Sequence, residues 1–411
     1  MVVYPGVMNQ ASSPRANEVD PDERMSLPGW LYRDEEFFAY EAKHLLRPSW
    51  QIVCHVNDIP KAGDYFTFEF LGESIIVLRG DDRAIRALHN VCRHRAARLV
   101  DGSSGHCGRR LTCRYHSWSY DLAGHLVGVP LRATYVGFDI TAHDLKAVEH
   151  EIYHGFIFVR IAGSGPSVAD MMAPYESEIA TYRLKDLIPL GRVTLRPRTV
   201  NWKNISDNYS DALHINVAHP GLTRLFGRNY SIEAQEWVHK MWGRLRDEPS
   251  SNRSERMYQK YLPPVAHLAE DRQRLWVYFK LWPNVAFDIY PDQIDFMQFV
   301  PVSATSTIIR EIAYAHPDIV HPDGLHPDQR REMSAARYLN WRINRQVNKE
   351  DTDLINRVQA GMASSSYEAG PFGATEVCLK QFARKYRALL PAARHRRSPP
   401  SGWSRDSVVP A

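Results

Sequence analysis

Apolar and polar residues in the first part of the chain repeat mainly with the period of two that β-strands require. Residues 66–70 read Phe-Thr-Phe-Glu-Phe, the alternation expected of a strand with one buried face. Apolar runs bounded by turn residues predict further strands at 49–54, 74–78 and 155–159. Together these runs predict a small antiparallel β-domain over residues 46–162.

A stretch rich in Gly, Ser and Pro at 162–167 predicts a linker, and a second domain is predicted over residues 168–392. This second part combines strand-like runs with longer stretches of helical periodicity. The strand-like runs lie at 274–282, 298–301 and 305–314, and the helical stretches lie at 330–359 and 376–390. The pattern predicts an α+β fold in which helices flank a central antiparallel sheet.

The two ends of the chain are predicted to lie outside these domains. Residues 1–45 are expected to form an N-terminal lead, disordered up to about residue 25, followed by a helical segment. Residues 393–411 begin with a basic cluster, are rich in Pro and Ser, and are expected to form a disordered tail.

Composition narrows the class of protein. The 411 residues carry a net charge of +4, which is too small to indicate nucleic acid as a partner. No apolar run reaches the roughly 18–20 residues of a membrane-spanning helix, and the N-terminus lacks the layout of a signal peptide. Among the five cysteines, Cys54 and Cys378 lie between apolar neighbours and are expected to be buried thiols. A reducing cytoplasm is the expected compartment.

Two short motifs in the first domain combine cysteine with histidine. Cys92-x-His94 is followed, after 18 intervening residues, by Cys113-x-x-His116. Two thiolates and two imidazoles suit a [2Fe-2S] cluster in which both cysteines bind one iron and both histidines bind the other. Neutral imidazole in place of thiolate raises the potential of such a cluster into the Rieske range. The motifs therefore indicate one-electron transfer.

The alternative for the same four residues is a structural zinc site. Zinc fingers pair Cys with Cys and His with His, whereas each motif here contains one of each. Tyr115, Ser117 and Tyr120 follow the second cysteine, and hydroxyls beside a cluster can bond its sulfurs and raise its potential. His106 and Cys107 fit neither spacing and are expected to lie in a surface loop.

A second dense group of polar and ligand-type residues follows the linker. If residues 201–214 are helical, Asp207, Asp211 and His214 share one face, because residues three and four apart are neighbours on a helix. A helix that ends soon afterwards would let the chain bring His219 back towards His214. Two imidazoles and one carboxylate in a facial arrangement leave three positions open on Fe(II), as in non-heme iron oxygenases.

The two groups together resemble the large (α) subunit of Rieske non-heme iron aromatic-ring-hydroxylating oxygenases. The resemblance spans about residues 40–390 and rests on the Cys/His motifs and on the run Asn-Trp-Lys, Asp-Asn-Tyr, Asp-x-x-His-x4-His that ends at His219. It implies an N-terminal Rieske domain and a catalytic domain of the helix-grip, START-like type. It also implies two cofactors, a Rieske [2Fe-2S] cluster and mononuclear Fe(II).

The resemblance assigns roles to individual residues. The cluster ligands would be Cys92, His94, Cys113 and His116, and the iron ligands would include His214 and His219. The third iron ligand is expected to be an acid on a helix in the last quarter of the chain. Asp351 is the predicted ligand, with Glu350 and Asp353 as open alternatives.

Two catalytic residues and a subunit arrangement are also implied. Asp211 matches the bridging acid of the family, which fixes the Nδ1–H of the first iron histidine and contacts the second cluster histidine, here His116, of a neighbouring subunit. This arrangement implies a homotrimer. Asn208 matches an asparagine near the iron, whereas a helix-end or surface role is as plausible for Asp207.

No G-x-G-x-x-G fingerprint follows a predicted strand, so the electrons are expected to come from a separate NAD(P)H-dependent reductase or a ferredoxin.

The substrate is expected to be a small organic molecule that is oxidised with O2. The predicted pocket lining is rich in aromatic residues: Trp202, Tyr209, Leu213, Leu225, Phe226, Trp282, Phe287 and Tyr290. Such a pocket favours mono- or dioxygenation of an aromatic compound, such as an aromatic acid or ether. The alternative is a quaternary ammonium or betaine substrate held by cation–π contacts, which would be demethylated or hydroxylated.

Three other functions fit the sequence less well. A Rieske electron-transfer protein would need only residues 47–162, and a zinc-stabilised binding protein would need no acid at position 351. A zinc hydrolase would be expected to carry HExxH on a helix, which the His-x4-His run does not provide.

Overall fold

The computed structural model of the protein describes residues 21–321 and 326–406. Within these ranges no helix is long and apolar enough to cross a membrane. The strands are β1 (Gln51–His55), β2 (Asp64–Phe70), β3 (Glu73–Arg79), β4 (Ile85–His89), β5 (Ser104–His106), β6 (Arg110–Thr112), β7 (Ser119–Asp121), β8 (Leu126–Gly128), β9 (Glu149–Tyr153), β10 (Phe156–Arg160), β11 (Ile188–Pro189), β12 (Thr194–Arg198), β13 (Tyr230–Ala234), β14 (Val238–Arg244), β15 (Leu275–Leu281), β16 (Val285–Ile289), β17 (Ile294–Ser303) and β18 (Ser306–Ala315).

The helices are α1 (Glu35–Glu41), α2 (Val168–Met172), α3 (Glu176–Ile179), α4 (Trp202–Ser210), α5 (Ile215–Ala218), α6 (Pro220–Phe226), α7 (Arg253–Tyr261), α8 (Pro317–Val320), α9 (Pro327–Met362), α10 (Val377–Leu389) and α11 (Trp403–Asp406). Short 3-10 turns and a π-helical turn at Ala42–Leu46 connect several of them. The predicted α+β fold is confirmed: β-structure dominates the first part, and helices flank an antiparallel sheet in the second.

Three small antiparallel sheets form the first part of the molecule. Their strand orders are β1-β10-β9, β4-β3-β2-β5 and β6-β7-β8. β1 pairs with β10, with Gln51 opposite Val159, so the first and last strands close on each other. Both strands are buried along their whole length, including the polar residues Gln51, His55 and Arg160 at their ends.

The second part is built on an eight-stranded antiparallel sheet. Its order is β11-β18-β17-β16-β15-β14-β13, and β12 also pairs with β18. One face carries Phe279, Phe287 and Phe296 into the main hydrophobic core, where all three are buried. The other face looks towards α4 and α9 and forms one wall of the site described below.

The segment before β1 packs on the second part and fixes α4. Glu41, at the end of α1, accepts hydrogen bonds from Trp202 Nε1 and Lys203 Nζ, each at 3.0 Å, and all three side chains are buried. Removing one partner of such a buried ion pair leaves an uncompensated charge, which typically costs about 3–5 kcal/mol. The N-terminal lead expected up to residue 25 falls partly outside the described residues, but Met25 bridges to Pro371 and is ordered.

The predicted disorder of the C-terminal tail is wrong for residues 393–406. Trp403 packs against Phe37 and Tyr40, with ring centroids at 6.3 and 5.3 Å. The Glu36 carboxylate accepts hydrogen bonds from the backbone N–H groups of Gly402 and Ser404 at 2.8 and 2.9 Å. A single large aromatic residue and a satisfied helix start therefore anchor a segment whose composition indicated disorder. Residues 407–411 lie outside the described part.

Candidate functional site

Helix α4 ends four residues before the end predicted for it. Asp211 follows as its C-cap with extended backbone, φ −94° and ψ 127°, and its carboxylate accepts a hydrogen bond from Leu213 N at 2.8 Å. Asp side chains that bond nearby N–H groups compete with helix continuation. The predicted single helix face carrying Asp207, Asp211 and His214 is therefore wrong.

The two histidines meet even so. α5 spans four residues between them, and Pro220, which has no N–H to donate, opens α6. The rings of His214 and His219 lie with centroids 5.0 Å apart at 75°. The chain thus turns back towards His214 as expected. It does so through α4 and the separate short helix α5, in place of the single helix predicted over 201–214.

Asp351 on α9 completes a group of three. Its Oδ1 lies 3.0 Å from His219 Nε2 and 3.6 Å from His214 Nε2, and the three ligand atoms all lie within 4.8 Å of one another. No second group of three potential metal ligands this close occurs in the described ranges. Asp351 Oδ1 is buried and makes no hydrogen bond. Two imidazoles and a carboxylate with a free buried oxygen fit Fe(II) in the facial arrangement.

Each histidine is held from behind by a second carboxylate. Asp211 Oδ2 lies 3.0 Å from Nδ1 of His214, and Glu350 Oε2 lies 2.8 Å from Nδ1 of His219. In both rings Nδ1 is thereby the donor, and Nε2 is the nitrogen that faces Asp351 and would bind a metal once deprotonated. Glu350, an open alternative for the third ligand, is thus placed behind the histidine, and the other alternative, Asp353, is exposed.

The electrostatics of the group favour a bound cation. Burial lowers the pKa of His214, but the carboxylates of Asp211 and Asp351 outweigh it and raise the value to about 9. Burial likewise raises the pKa of Asp351, but the two histidines outweigh it and lower the value. Asp351 therefore remains ionised, and without metal a proton on His214 supplies the compensating charge.

The two remaining predicted residues differ in position. Asn208 Nδ2 lies 3.2 Å from His214 Nε2, which places the amide beside the ligand atom. The carboxylate of Asp207 accepts a hydrogen bond from the Tyr32 hydroxyl at 2.7 Å instead. Asp207 therefore ties α4 to the N-terminal segment.

The two Cys/His motifs form matching turns. In the first, Ala96 N donates to Cys92 O at 3.0 Å, and in the second, Ser117 N donates to Cys113 O at 2.9 Å. Ala96 and Ser117, each four residues after a cysteine, both have φ of 58°. Equal turns of this kind present one Cys and one His from each side of a shared centre.

The surroundings of these turns fit a cluster. Cys92 and Cys113 are buried, and the rings of His94 and His116 lie with centroids 4.6 Å apart. Nδ1 of each histidine is buried and has no hydrogen-bond partner in the described structure. Tyr120 places its hydroxyl 3.5 Å from Cys92 Sγ. Buried thiols next to unpartnered imidazole nitrogens are the donor set of a Rieske cluster.

A cavity of about 120 Å³ adjoins His214, His219 and Asp351. Its sheet wall comes from one face, because residues directly opposite in neighbouring strands point the same way. Asp288 lies opposite both Tyr278 and Asp295. The other residues that this face contributes to the lining are Tyr230, Tyr290, Met297, Phe299, Ile309, Glu311 and Arg198.

Only two of the predicted pocket residues line this cavity, Tyr209 and Tyr290. Leu213 is exposed, and the others lie elsewhere in the buried core: Trp202, Leu225, Phe226, Trp282 and Phe287. The prediction missed Tyr230, Tyr278 and the carboxylates. Their common signal is alternation along the later strands, which is visible only once the strand register is known.

Asp288 is the best-defined polar group of the cavity. Its two oxygens accept hydrogen bonds from the hydroxyls of Tyr209 at 2.6 Å and Tyr290 at 3.4 Å. Burial raises the pKa of Asp288 to about 7, and these hydrogen bonds oppose the rise. Burial also raises the pKa of Asp295, with Glu311 and Asp288 adding to the effect. A positive ligand would relieve this crowding of carboxylates.

Comparison with known families agrees with the geometry. Residues 178–392 match the family described as the ring hydroxylating alpha subunit (catalytic domain), and residues 49–146 match the Rieske [2Fe-2S] domain. The chain belongs to the Rieske oxygenases. A [2Fe-2S] cluster and mononuclear iron are the cofactors of this family, and the enzyme class is that of an oxygen-incorporating oxidoreductase.

Relatives of this Rieske oxygenase act on different compounds. It is 34% identical over 226 residues to a carnitine monooxygenase oxygenase subunit of Escherichia coli, which is 54% of this chain and 58% of that protein. It is 28% identical over 360 residues to the corresponding subunit of Acinetobacter pittii, which is 85% of this chain and 88% of that one. A glycine betaine monooxygenase oxygenase subunit of Chromohalobacter salexigens is 36% identical over 199 residues, 48% of this chain and 44% of that protein.

Solved structures share the fold. A quaternary ammonium Rieske monooxygenase superposes with a TM-score of 0.72 at 24% identity, covering 92% of this chain and 97% of the other. Naphthalene 1,2-dioxygenase from Rhodococcus gives a TM-score of 0.70 at 17% identity, covering 90% and 95%. Because both substrate classes occur on this fold, the substrate must be inferred from the cavity itself.

Proposed function

We propose that this chain is the terminal oxygenase component of a multicomponent system and that it oxidises a quaternary ammonium compound. The observation that carries the proposal is the cavity wall beside His214, His219 and Asp351. There the Asp288 carboxylate lies among tyrosine rings on the same sheet face.

Tyrosine rings and a buried carboxylate are the groups that recognise a quaternary ammonium. Such a cation has no N–H to donate, so it is bound by the negative faces of aromatic rings and by unspecific charge attraction. Tyr209, Tyr230, Tyr278 and Tyr290 supply the rings, and Asp288 supplies the charge. Burying the Asp288 carboxylate costs free energy of desolvation, and a neutral aromatic substrate would offer no charge attraction to offset that cost.

The relatives support the same choice between the two substrate classes expected from the sequence. Seven curated relatives are oxygenase subunits named for carnitine or glycine betaine. Another relative, from Alcaligenes, is the alpha subunit of a 2-aminobenzenesulfonate 2,3-dioxygenase and is 30% identical over 200 residues. The quaternary ammonium alternative is therefore favoured over the aromatic acid or ether.

In this proposal the iron is held by His214, His219 and Asp351, and the cluster by Cys92, His94, Cys113 and His116. When bound, the iron supplies activation of O2 and the cluster supplies electrons one at a time. The chain's own residues set the geometry around them. Asp211 and Glu350 orient the two iron histidines, Asn208 lies beside Nε2 of His214, and the tyrosines hold the substrate near the group.

We further propose that a separate reductase or ferredoxin provides the electrons and that the chain works as a trimer. The surface beside Asp211 supports a subunit contact: Val217 is 85% exposed and Leu213 is 48% exposed. Next to the cluster histidine His116, Tyr115 is 58% exposed. Pairing these surfaces between subunits would bury apolar area and bring Asp211 to the His116 of a neighbour.

The test is O2 consumption by reconstituted protein, with a surrogate reductase, against two matched substrate panels. One panel contains trimethylammonium compounds, and the other contains aromatic acids and ethers of similar size. We expect product formation and coupled O2 uptake with the first panel only. Turnover confined to the aromatic panel would contradict the proposal, and turnover of substrate by the chain with NADH alone would contradict the separate reductase.

A further inference from the structure

Two arginines on β12 lie on the same face of the sheet as the cavity, but only Arg198 lines the cavity, and the two differ in their partners. Arg196 lies opposite Ile309 and Arg198 lies opposite Thr307, so the two side chains point the same way. Arg196 forms an ion pair with Glu311. Arg198 has no carboxylate within 4.0 Å in the part of the chain that the structure describes. Its Nη1 donates to Pro197 O at 3.0 Å, and its Nε is buried without a hydrogen-bond partner.

The carboxylates of the cavity wall already have partners. Asp288 is held by Tyr209 and Tyr290, Asp295 accepts both of its hydrogen bonds from the Gln293 amide at 2.9 and 3.0 Å, and Glu311 is paired with Arg196. Arg198 therefore contributes an uncompensated positive group to a cavity that otherwise attracts cations. A half-buried guanidinium without an anion is costly unless a ligand provides one.

Arg198 and the tyrosines lie at opposite ends of the cavity wall. The sheet runs β12-β18-β17-β16-β15, so three strand steps separate Arg198 on β12 from Asp288 on β16. At roughly 4.8 Å per step, the two strands lie about 14 Å apart. The two residues are also offset along the strands, because Arg198 pairs through Thr307 with Pro301 on β17 whereas Asp288 pairs with Asp295. These six positions add about 20 Å along the strand, so the two backbone positions are roughly 25 Å apart. Long side chains reaching inward from both ends reduce this span to the length of a small extended molecule.

We propose that Arg198 binds the carboxylate of the substrate, which is therefore an extended betaine. Its quaternary ammonium lies among the tyrosines at Asp288, and its carboxylate lies several bonds away, on the guanidinium. This assignment rests on the proposed function and adds the second recognition group. A charged group of each sign on one cavity wall selects zwitterions over simple cations.

The experiment compares two ligands that differ only in the carboxylate, γ-butyrobetaine and butyltrimethylammonium. Dissociation constants are measured by calorimetry on the reconstituted protein, and kcat/KM is measured alongside. Arg198→Met removes the positive charge. Arg198→Lys keeps the charge but lacks the planar guanidinium, whose N–H groups can donate two parallel hydrogen bonds to a carboxylate. Arg192→Met, at an exposed position of the preceding loop, is the matched control.

We expect the wild-type protein to bind γ-butyrobetaine about 10- to 100-fold more tightly than butyltrimethylammonium, as a hydrogen-bonded charge pair provides. Arg198→Met should remove this preference by weakening γ-butyrobetaine alone. Arg198→Lys should keep part of it, and Arg192→Met should keep all of it. If Arg198→Met does not fold, as judged by its thermal unfolding, the lysine variant decides the question.

Two results would overturn the assignment and are distinguishable from each other. Equal affinity of the wild-type protein for the two ligands, or equal losses for both in the Arg198 variants, would remove the carboxylate site and leave the proposed quaternary ammonium function intact. Failure of the wild-type protein to bind either ligand would overturn the proposed function and, with it, the role of Arg198.

Discussion

Glu350 Oε2 lies 2.8 Å from Nδ1 of His219, while the neighbouring residue, Asp351, presents Oδ1 to Nε2 of the same ring at 3.0 Å. Two consecutive acids of α9 thus contact opposite nitrogens of one imidazole. Glu350 fixes the tautomer and orientation of the ring, and Asp351 faces the nitrogen that would bind the metal. With Asp211 on His214, both proposed iron histidines are clamped by carboxylates.

Glu350 is expected to set iron affinity without being a ligand. Glu350→Ala frees Nδ1 of His219, and loss of such a partner typically costs about 10- to 100-fold in metal affinity. Glu350→Gln keeps an acceptor and should cost less. Iron content after titration with Fe(II), read together with the EPR signal of the reduced cluster, separates the two sites. The exposed Asp353→Ala is the control, and an unchanged iron affinity in Glu350→Ala would refute the role.

Asp211 is expected to connect the two centres. Asp211→Ala, assayed with iron in excess, should retain iron and a reducible cluster but lose product formation. Asp211 contacts Nδ1 of His214 at 3.0 Å and is the proposed link from that ring to the cluster histidine of a neighbouring subunit. Rapid-mixing measurement of cluster reoxidation in the presence of substrate and O2 reports this step directly. Loss of iron under these conditions, or normal turnover, would count against the bridging role.

Tyr120 is expected to raise the potential of the cluster. Arg93 N donates to the Tyr120 hydroxyl at 2.9 Å, so the O–H proton is free to point at Cys92 Sγ, 3.5 Å away. Tyr120→Phe removes this hydrogen bond and should lower the potential by about 60 mV, if the bond favours the reduced state by about 1.4 kcal/mol. An EPR-monitored redox titration measures the shift. Tyr115→Phe, whose side chain is exposed, should leave the potential unchanged.

The parts of the site that the sequence predicted are those fixed by local chain geometry. The Cys92 and Cys113 turns need only four residues each, and the Cys/His spacing is visible in the sequence. The choice between Glu350 and Asp351 is not visible in the sequence. The rotation of α9 against α4 and α7 decides which of two adjacent residues faces the metal side, and that rotation depends on packing across the whole domain.

The cavity wall could not be predicted for a related reason. Tyr278, Asp288, Asp295 and Glu311 come from four strands and meet only through register, since a slip of one residue would turn each to the other face. β16 was not predicted as a strand, although β15, β17 and β18 were. Its cavity-facing Asp288 is a residue type that strands disfavour, and function explains its presence there.

Iron binding by the apoprotein is expected to release a proton and to strengthen as pH rises. Burial lowers the pKa of His214, yet Asp211 and Asp351 hold it at about 9, whereas iron needs the neutral ring. At about pH 7 the proton must leave. Burial lowers the pKa of His219, but Asp351 and Glu350 outweigh it and raise this pKa as well, so calorimetry in buffers of different ionisation enthalpy should show roughly one to two protons released per iron.

The same pKa has a consequence for the stability of the apoprotein. The folded value lies above the unfolded value of about 6.5, so the stabilisation is complete below about pH 6.5 and is lost as pH rises towards 9. Thermal unfolding of the metal-free protein should follow this trend, and Asp211→Asn should weaken it. Iron uptake without proton release would contradict the assignment of the raised pKa to His214.

Binding of a quaternary ammonium ligand is expected to depend on pH through Asp288. Burial raises the pKa of this carboxyl group to about 7, so below that pH the group is largely neutral and attracts a cation less. Affinity should therefore fall by up to about tenfold per pH unit below 7 and level off above it. Asp288→Asn, which preserves shape, should bind weakly and show a flat profile between about pH 6 and pH 8. An uncharged tert-butyl isostere of the ligand should also show no pH dependence, because it does not sense the carboxylate. If the wild-type protein binds cation and isostere with the same profile, Asp288 does not recognise the charge.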